Sequence, residues 1–276
     1  MRIVIQGEAG SFSHEAVLEF HPGAAIVSCS LSAEVFETLL LGGTDAAVIP
    51  IENSLAGPVA EHYDLLLASA VFVERESLLR IRHNLISVPG ENIAGIRRVY
   101  SHPVALAQCR HFFLKHPHLQ AIPAYDTAGS VKRLMEAPAQ SSHEAAIASR
   151  QAAIQYGGEV LAAGIEDNPE NYTRFFLIRR VAESSVEPAA DKVSLAFAVE
   201  NRPGALVAAL AVFAELGTNL TKIESRPVQG RPWQYNFYAD CQLSRPAQAD
   251  AVLERLRGHC SMVKELGRYR TAVNPG

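Results

Sequence analysis

Short apolar runs alternate with amphipathic segments along most of the chain. Residues 2–6 and 46–49 are two such runs, and each is followed by a polar or glycine-containing turn. Short apolar runs are typical of buried strands, whereas the segments between them show the 3.6-residue period of helices. The repeated order of strand, turn and helix predicts an α/β domain with parallel strands over residues 1–181.

The pattern changes after Val181. Residues 182–191 show no periodicity, which is typical of a linker. Residues 192–276 then follow the order strand, helix, strand, strand, helix, strand. This order predicts a ferredoxin-like βαββαβ domain, with both helices on one face of an antiparallel sheet.

Neutral polar residues follow the predicted strands of the first domain. Asn53 and Ser54, then Ser101 with Gln108, and then Thr127 come after successive strands. Ligands of open α/β sheets bind at the carboxyl ends of strands, so we expect these side chains to line one cleft. The helix starts that follow the strands favour anions, which predicts an anionic ligand held by neutral donors.

A polar turn leads directly into an apolar strand near residue 172. Thr173 and Arg174 stand at this junction, ahead of Phe175 and Phe176. The guanidinium group of Arg174 can bind a carboxylate through two parallel hydrogen bonds. The two phenylalanines either shield a cleft or fill the core, and core packing is favoured for Phe176. Taken alone, the segment also fits a strand edge with a surface arginine.

Composition excludes several classes of protein. The chain has 276 residues, is 48% hydrophobic and carries a net charge of −4, so it lacks the basic stripe of a nucleic-acid-binding protein. No apolar window is long enough for a membrane span or a signal peptide, which predicts a cytoplasmic protein. No histidine or cysteine pattern has metal-ligand spacing, so we expect no metal, no cofactor and no disulfide.

Four segments of the first domain resemble, in order, the motifs of prephenate dehydratase. They are residues 7–13, 45–57, 101–108 and 171–175. In the second domain, two segments resemble the phenylalanine-binding motifs of the regulatory ACT domain; they are Gly204-Ala205-Leu206-Val207 and Glu224-Ser225-Arg226-Pro227. The resemblance implies a two-lobed catalytic domain, like type II periplasmic binding proteins, followed by a ferredoxin-like ACT domain. It leaves no room for a chorismate mutase domain.

The resemblance also implies an activity, the conversion of prephenate to phenylpyruvate, water and carbon dioxide. Thr173 resembles the catalytic threonine of the family and is expected to hydrogen-bond the leaving hydroxyl group, although the ultimate proton donor stays unassigned. A mostly neutral lining suits this reaction, because a carboxylate held tightly as an anion resists leaving as carbon dioxide. The expected substrate-binding residues are Asn53, Ser54, Ser101, Gln108, Thr127, Arg174 and Phe175.

Phenylalanine is the expected effector, and its site is expected in the second domain. Glu224 or a backbone carbonyl would take its ammonium group; alternatively, Glu224 and Arg226 form a weak surface ion pair. Such ligands lie between paired ACT domains, which implies a homodimer or homotetramer. The expected effector-binding residues are Gly204, Ala205, Leu206, Val207, Asn219, Leu220, Glu224, Ser225 and Arg226.

Other functions remain open at this point. Arogenate dehydratase acts on a substrate that differs by one amine, and no residue distinguishes it from prephenate dehydratase. A solute-binding protein would share the two lobes but would carry an export signal. A pure amino-acid sensor would explain the second domain but not the polar turns of the first.

Overall fold

The structure is a computed structural model that describes residues 1–228 and 230–273. Its strands are β1 (Arg2–Gln6), β2 (Ala25–Cys29), β3 (Ala46–Asn53), β4 (Gly57–Pro58), β5 (Val71–Arg80), β6 (Asn84–Ser87), β7 (Arg98–Ser101), β8 (Gln120–Pro123), β9 (Glu144–Ala148), β10 (Glu159–Ala163), β11 (Tyr172–Arg180), β12 (Lys192–Ala198), β13 (Asn219–Pro227), β14 (Tyr235–Gln242) and β15 (Met262–Tyr269). Its helices are α1 (Phe12–Phe20), α2 (Ser32–Leu40), α3 (Ala60–Ala68), α4 (Pro103–Ala107), α5 (Arg110–Lys115), α6 (Thr127–Glu136), α7 (Arg150–Tyr156), α8 (Ala205–Glu215) and α9 (Gln248–Arg257). The end of the predicted second domain, residues 274–276, lies outside the described residues.

The chain folds into two compact units. Among the described residues, the first contains 1–58 and 77–175, and the second contains 59–76, 176–228 and 230–273. Helix α3 and the first part of β5 therefore pack with the carboxyl-terminal elements, although they lie early in the sequence.

The first lobe of the first unit is built on strands β2, β1 and β3, in that order and all parallel. Ile3, Val4 and Ile5 are fully buried because α1 and α2 cover this sheet. The apolar run at 46–49 forms the predicted strand, but β3 continues to Asn53. The extension is stabilised by pairing, since the last residues of β3 bond to β4 and to the start of β11.

The second lobe is a sheet with the order β10-β6-β9-β7-β8, in which β7, β8 and β9 are parallel. Every residue of β9 is buried. One face packs Ile147 against Phe112 of α5, and the other packs Ala146 against Val131 of α6. Coverage on both faces explains why this strand is a continuous apolar run rather than an alternating one.

Two crossovers connect the lobes. The chain leaves the first sheet after β5 and enters the second at β6, and it returns between β10 and β11. Residues 81–83 and 164–171 make these connections. The carboxyl ends of β1 and β3 and the loops of the second lobe are thereby brought to one cleft.

The second unit has the predicted ferredoxin-like order. Strands β13, β14, β12 and β15 are neighbours in that sequence and antiparallel, and α8 and α9 pack on one face of the sheet. The core of this face includes Leu195, Phe213 and Leu253. Before β12, residues 184–191 form neither helix nor strand.

Candidate active site

The amide of Asn53 lies at the point where the end of β3 meets the start of β11. Its Nδ2 donates to Thr173 Oγ1 at 2.9 Å and to Asn171 Oδ1 at 2.8 Å. Its Oδ1 accepts from the backbone N–H groups of Leu55 and Ala56 at 3.0 and 2.8 Å. The turn after β3 therefore fixes the amide, and the amide in turn fixes the side chains of Asn171, just before β11, and Thr173, within it.

The Thr173 hydroxyl has a defined direction for this reason. An amide nitrogen can only donate, so Thr173 Oγ1 is the acceptor in its bond with Asn53. Among the described residues the hydroxyl donates no hydrogen bond, and Thr173 is 8% exposed. The hydroxyl proton is thus available to a ligand bound beside β11.

Gln108 joins this cluster from the second lobe. Its Oε1 accepts from Asn171 Nδ2 at 3.0 Å and lies 2.8 Å from His83 Nε2. Because this oxygen can only accept, His83 carries its proton on Nε2. Burial lowers the pKa of His83, so the ring is neutral at pH 7.

The chain around Gln108 forms two short helices. The sequence after Pro103 predicts a single helix over residues 104–115, but α4 ends at Ala107 and α5 begins at Arg110. The Asp167 carboxylate accepts from the backbone N–H groups of Arg110 and His111 at 2.9 and 2.8 Å and so satisfies the start of α5. The break lets the Gln108 side chain reach Asn171 and His83.

Arg174 lies on the other face of β11 from Thr173, since side chains alternate along a strand. It is 7% exposed, and its Nη1 donates to Glu52 Oε1 at 3.0 Å. A buried arginine paired in this way is not poised for a second carboxylate. Its role as a substrate clamp stays a prediction.

The other predicted substrate-binding residues lie outside this hydrogen-bonded cluster. Ser54 ties the loop to β11, with its Oγ donating to Glu170 O and accepting from Tyr172 N, both at 3.0 Å. Ser101 is fully buried and donates to Ile147 O at 2.6 Å. Thr127 is the first residue of α6 and is half-buried, and its hydroxyl has no hydrogen-bond partner among the described residues. Phe175 is 2% exposed and belongs to the core.

A cavity of about 350 Å³ opens where the carboxyl ends of β1 and β2 face the start of α6. Glu8, Asp126 and Arg133 line it, together with small residues. Arg133 is paired with Glu144 at 3.0 Å and Glu8 with Lys132 at 3.1 Å, while Asp126 accepts from the backbone N–H of Gly129. The charged groups of this edge therefore already have partners, in contrast to the neutral cluster around Thr173.

The residues predicted to bind phenylalanine fall into two groups. Gly204 caps α8 with φ of 80°, a left-handed conformation that favours glycine, and Val207 in the first turn is 71% exposed. The remaining residues, Asn219, Leu220, Glu224, Ser225 and Arg226, lie on β13. Arg226 donates to both carboxylate oxygens of Asp64 in α3, at 3.0 and 2.6 Å.

Two other properties of the described residues bear on function. Between residues 1 and 228 and from 230 to 273, no three His, Cys, Asp or Glu side chains come together as metal ligands would. Within the same ranges, every helix falls short of the length and hydropathy needed to cross a bilayer.

Three residues of the site were not among the predicted ones. Asn171 stands next to the recognised threonine and arginine, so its amide was visible in the motif. Glu52 directly precedes Asn53 and was visible in the same way. His83 carried no local signal, because it lies in a crossover and meets Gln108 only through the fold.

The fold and the site together define a two-lobed α/β domain with a cluster of neutral polar side chains at its cleft, followed by a ferredoxin-like domain. A family profile for prephenate dehydratase matches residues 3–183, and one for the ACT domain matches residues 193–258. The chain belongs to the prephenate dehydratase family and carries an ACT domain.

Two of the similar proteins carry dehydratase names, and a third, a solved structure, carries a different description. A protein of Arabidopsis thaliana named arogenate dehydratase/prephenate dehydratase 2, chloroplastic, is 37% identical over 98% of this chain and 72% of its own length. A prephenate dehydratase from Arthrobacter aurescens, solved with L-Phe, has a TM-score of 0.87 and 33% identity over 98% of this chain and 90% of that chain. A structure described as GqqA, a novel type of quorum quenching acylase, has a TM-score of 0.89 and 31% identity over 100% of this chain and 99% of that chain.

Proposed function

We propose that the protein converts prephenate to phenylpyruvate, water and carbon dioxide. The observation that carries the proposal is the Thr173 hydroxyl, which accepts from Asn53 and keeps its own proton for a ligand. Prephenate loses a hydroxyl group and a carboxylate in this reaction, and its ring becomes aromatic. The driving force therefore resides in the substrate, and the protein has to orient it and assist the leaving hydroxyl.

Thr173 acts on that leaving group. Its hydroxyl is a weak acid, so it positions or relays a proton and is not the final donor. The amides of Asn53, Gln108 and Asn171 hold it and the surrounding loops without adding charge. A neutral surrounding favours the step, because tight ionic binding of the departing carboxylate would stabilise the ground state.

Arg174 is proposed to bind the other carboxylate, the one that stays in phenylpyruvate. This role requires Arg174 to exchange Glu52 for the substrate, since Glu52 occupies its Nη1. It also requires the guanidinium to reach past β11, because Arg174 and Thr173 lie on opposite faces of that strand. Ser54, Ser101, Thr127 and Phe175 are retained as proposed contacts of the substrate when the cleft is occupied. We expect turnover without an added metal or cofactor, and chelator-treated protein should keep its rate.

The choice between prephenate and arogenate is tested by turnover. Purified protein is offered each substrate separately, and the initial rates are compared at matched concentrations. We expect the higher kcat/KM with prephenate. Equal or higher kcat/KM with arogenate would assign the protein to the arogenate branch, and turnover of neither substrate would contradict the proposed reaction.

We further propose that phenylalanine regulates the enzyme through the ACT domain. The helix-start turn at Gly204 suits its carboxylate, while Leu206 and Leu220 at the edge of the core suit its ring. The Arthrobacter aurescens relative was solved with L-Phe, which supports this choice of effector. Light scattering of the purified protein, with and without phenylalanine, tests the expected homodimer or homotetramer.

The proposed domain boundaries are 1–181 for the catalytic domain, 182–191 for the linker and 192–276 for the ACT domain. The two family matches, which end at 183 and begin at 193, support them. We also propose a cytoplasmic location.

A further inference from the structure

A second cavity lies beside the two crossovers of the first unit. Its volume is about 550 Å³, and neither Thr173 nor Asn53 lines it. The lining comes from both crossovers and from one helix of each lobe; its charged members are Glu15, Arg80, Arg82, Arg150 and Glu166.

The three arginines of this cavity have no counter-ion in the described part of the chain. Arg80, Arg82 and Arg150 each lack an ion pair with those residues, in contrast to Arg174, which is paired with Glu52. The Nε of Arg80 is buried and has no hydrogen-bond partner among the described residues. A buried guanidinium N–H without an acceptor is unfavourable, so this geometry indicates a missing anionic partner.

The two carboxylates do not neutralise the arginines. Glu15 Oε1 accepts from the backbone N–H of Gln151 at 3.1 Å, and Glu166 Oε2 accepts from that of His83 at 2.8 Å. Three cations therefore face two carboxylates that already have partners, which leaves the cavity with a net positive charge.

We propose that this cavity binds a small polyanion, an oxyanion with at least two negative charges. Guanidinium groups bind carboxylates and phosphates through paired hydrogen bonds, so dicarboxylates and phosphate esters share the required chemistry. Arg80 and Arg82 belong to one crossover and its preceding strand, and Glu166 belongs to the other. An anion bound here would bridge the two segments that connect the lobes.

Isothermal titration of the full chain at low ionic strength tests the proposal. Inorganic phosphate and malonate are the probes, and they distinguish a phosphate site from a dicarboxylate site. We expect at least one of them to bind. Arg80→Gln, Arg82→Gln and Arg150→Gln should each weaken that binding by about tenfold or more, the scale of a lost hydrogen bond to a charged group. Arg257→Gln, which removes an exposed arginine of α9, is the matched control and should bind as the wild type does.

Three results would overturn the proposal. One is that neither probe binds, and another is that the control weakens binding as much as the cavity variants do. The third is that Arg174→Gln abolishes binding while the cavity variants keep it, which would place the anion at the active site. If Arg80→Gln does not fold, the variants Arg82→Gln and Arg150→Gln still test the proposal. Both arginines are exposed, so their substitution leaves the core unchanged.

Discussion

Thr173 shows how a single hydroxyl acquires a direction. Residues 172 and 174 point to the opposite face of β11, and Asn53 reaches Thr173 from the end of the neighbouring strand β3. The amide orients the lone pairs of the hydroxyl, and the remaining proton points to the ligand side. The catalytic geometry is therefore a property of two strands and not of Thr173 alone.

Two substitutions of Thr173 distinguish the effect of its hydroxyl group on the rate from the effect of its side-chain shape. Thr173→Val keeps the volume and is expected to lower kcat by roughly 10²-fold or more, the scale of a positioned proton-transfer partner. Thr173→Ser keeps the hydroxyl and should retain most of the activity. Steady-state kinetics on both variants is the measurement. A Val variant with normal kcat and raised KM would show that Thr173 only binds substrate.

His83 predicts a pH dependence of stability. Burial holds its pKa in the folded protein below 6.5, whereas the unfolded chain titrates at about 6.5. Below pH 6.5 the unfolded state therefore binds more protons, and the free energy of unfolding falls as the pH falls, by up to about 1.4 kcal/mol per pH unit for one proton. Above pH 6.5 His83 is neutral in both states, so its protonation no longer lowers the free energy of unfolding.

Denaturant unfolding at pH 7.5 and 5.5 measures this effect. His14, whose pKa is also lowered by burial, contributes in the same direction, so the wild type should lose stability at the lower pH. His83→Gln removes one of the two groups and should reduce the loss. An identical loss in wild type and variant would mean that His83 titrates normally in the folded protein.

At the level of elements, the position of Gln108 in the site depends on the break between α4 and α5. The break between α4 and α5 exposes Gln108, and Asp167 on the returning crossover caps the second helix. The backbone N–H of Asp167 also donates to Gln108 O at 2.7 Å. The crossover therefore fixes both ends of the break, and through Gln108 it fixes the amide cluster around Thr173.

Asp167→Ala tests this arrangement. Loss of a helix cap typically costs about 0.5–2 kcal/mol, so the free energy of unfolding should fall by that amount. Without the Asp167 carboxylate, the break between α4 and α5 no longer holds Gln108 in place. We therefore expect kcat/KM to fall even at a temperature where the variant is fully folded. Ser149→Ala is the comparison, since Ser149 caps α7 and is not part of the cluster around Gln108. Equal kinetic effects of the two variants would argue against a special role for the break.

At the scale of the whole molecule, α3 shows that sequence order and packing differ. It begins shortly after Asn53, yet it packs in the second unit. Arg226 of β13 binds Asp64, and Lys264 of β15 donates to the last carbonyls of the helix, including Leu66 O at 2.9 Å. A residue predicted to bind phenylalanine is thus paired with a carboxylate of α3.

This pairing predicts a competition. If Arg226 contacts the phenylalanine carboxylate in addition to the helix-start turn at Gly204, Asp64→Asn should tighten phenylalanine binding by about twofold to fivefold, in keeping with the small free energy of partly exposed ion pairs. Because inhibition follows occupancy of the effector site, the concentration of phenylalanine that inhibits should fall by about the same factor. Calorimetric titration and inhibition assays measure the two quantities. Glu215→Gln, which breaks the exposed ion pair with Arg255, is the control. Unchanged phenylalanine binding in Asp64→Asn would mean that Arg226 has only a structural role.

The sequence by itself determined the two fold classes, their order along the chain and the residues of the central cluster that follow strand ends. These features depend on local periodicity and on turns, which neighbouring residues specify. Only the tertiary structure decided that Arg174 pairs with Glu52, that Arg226 pairs with Asp64, that His83 joins Gln108, and that the arginines of the second cavity come together. Such contacts join residues far apart in the chain, and they depend on strand pairing and on where the crossovers return, which no local pattern encodes.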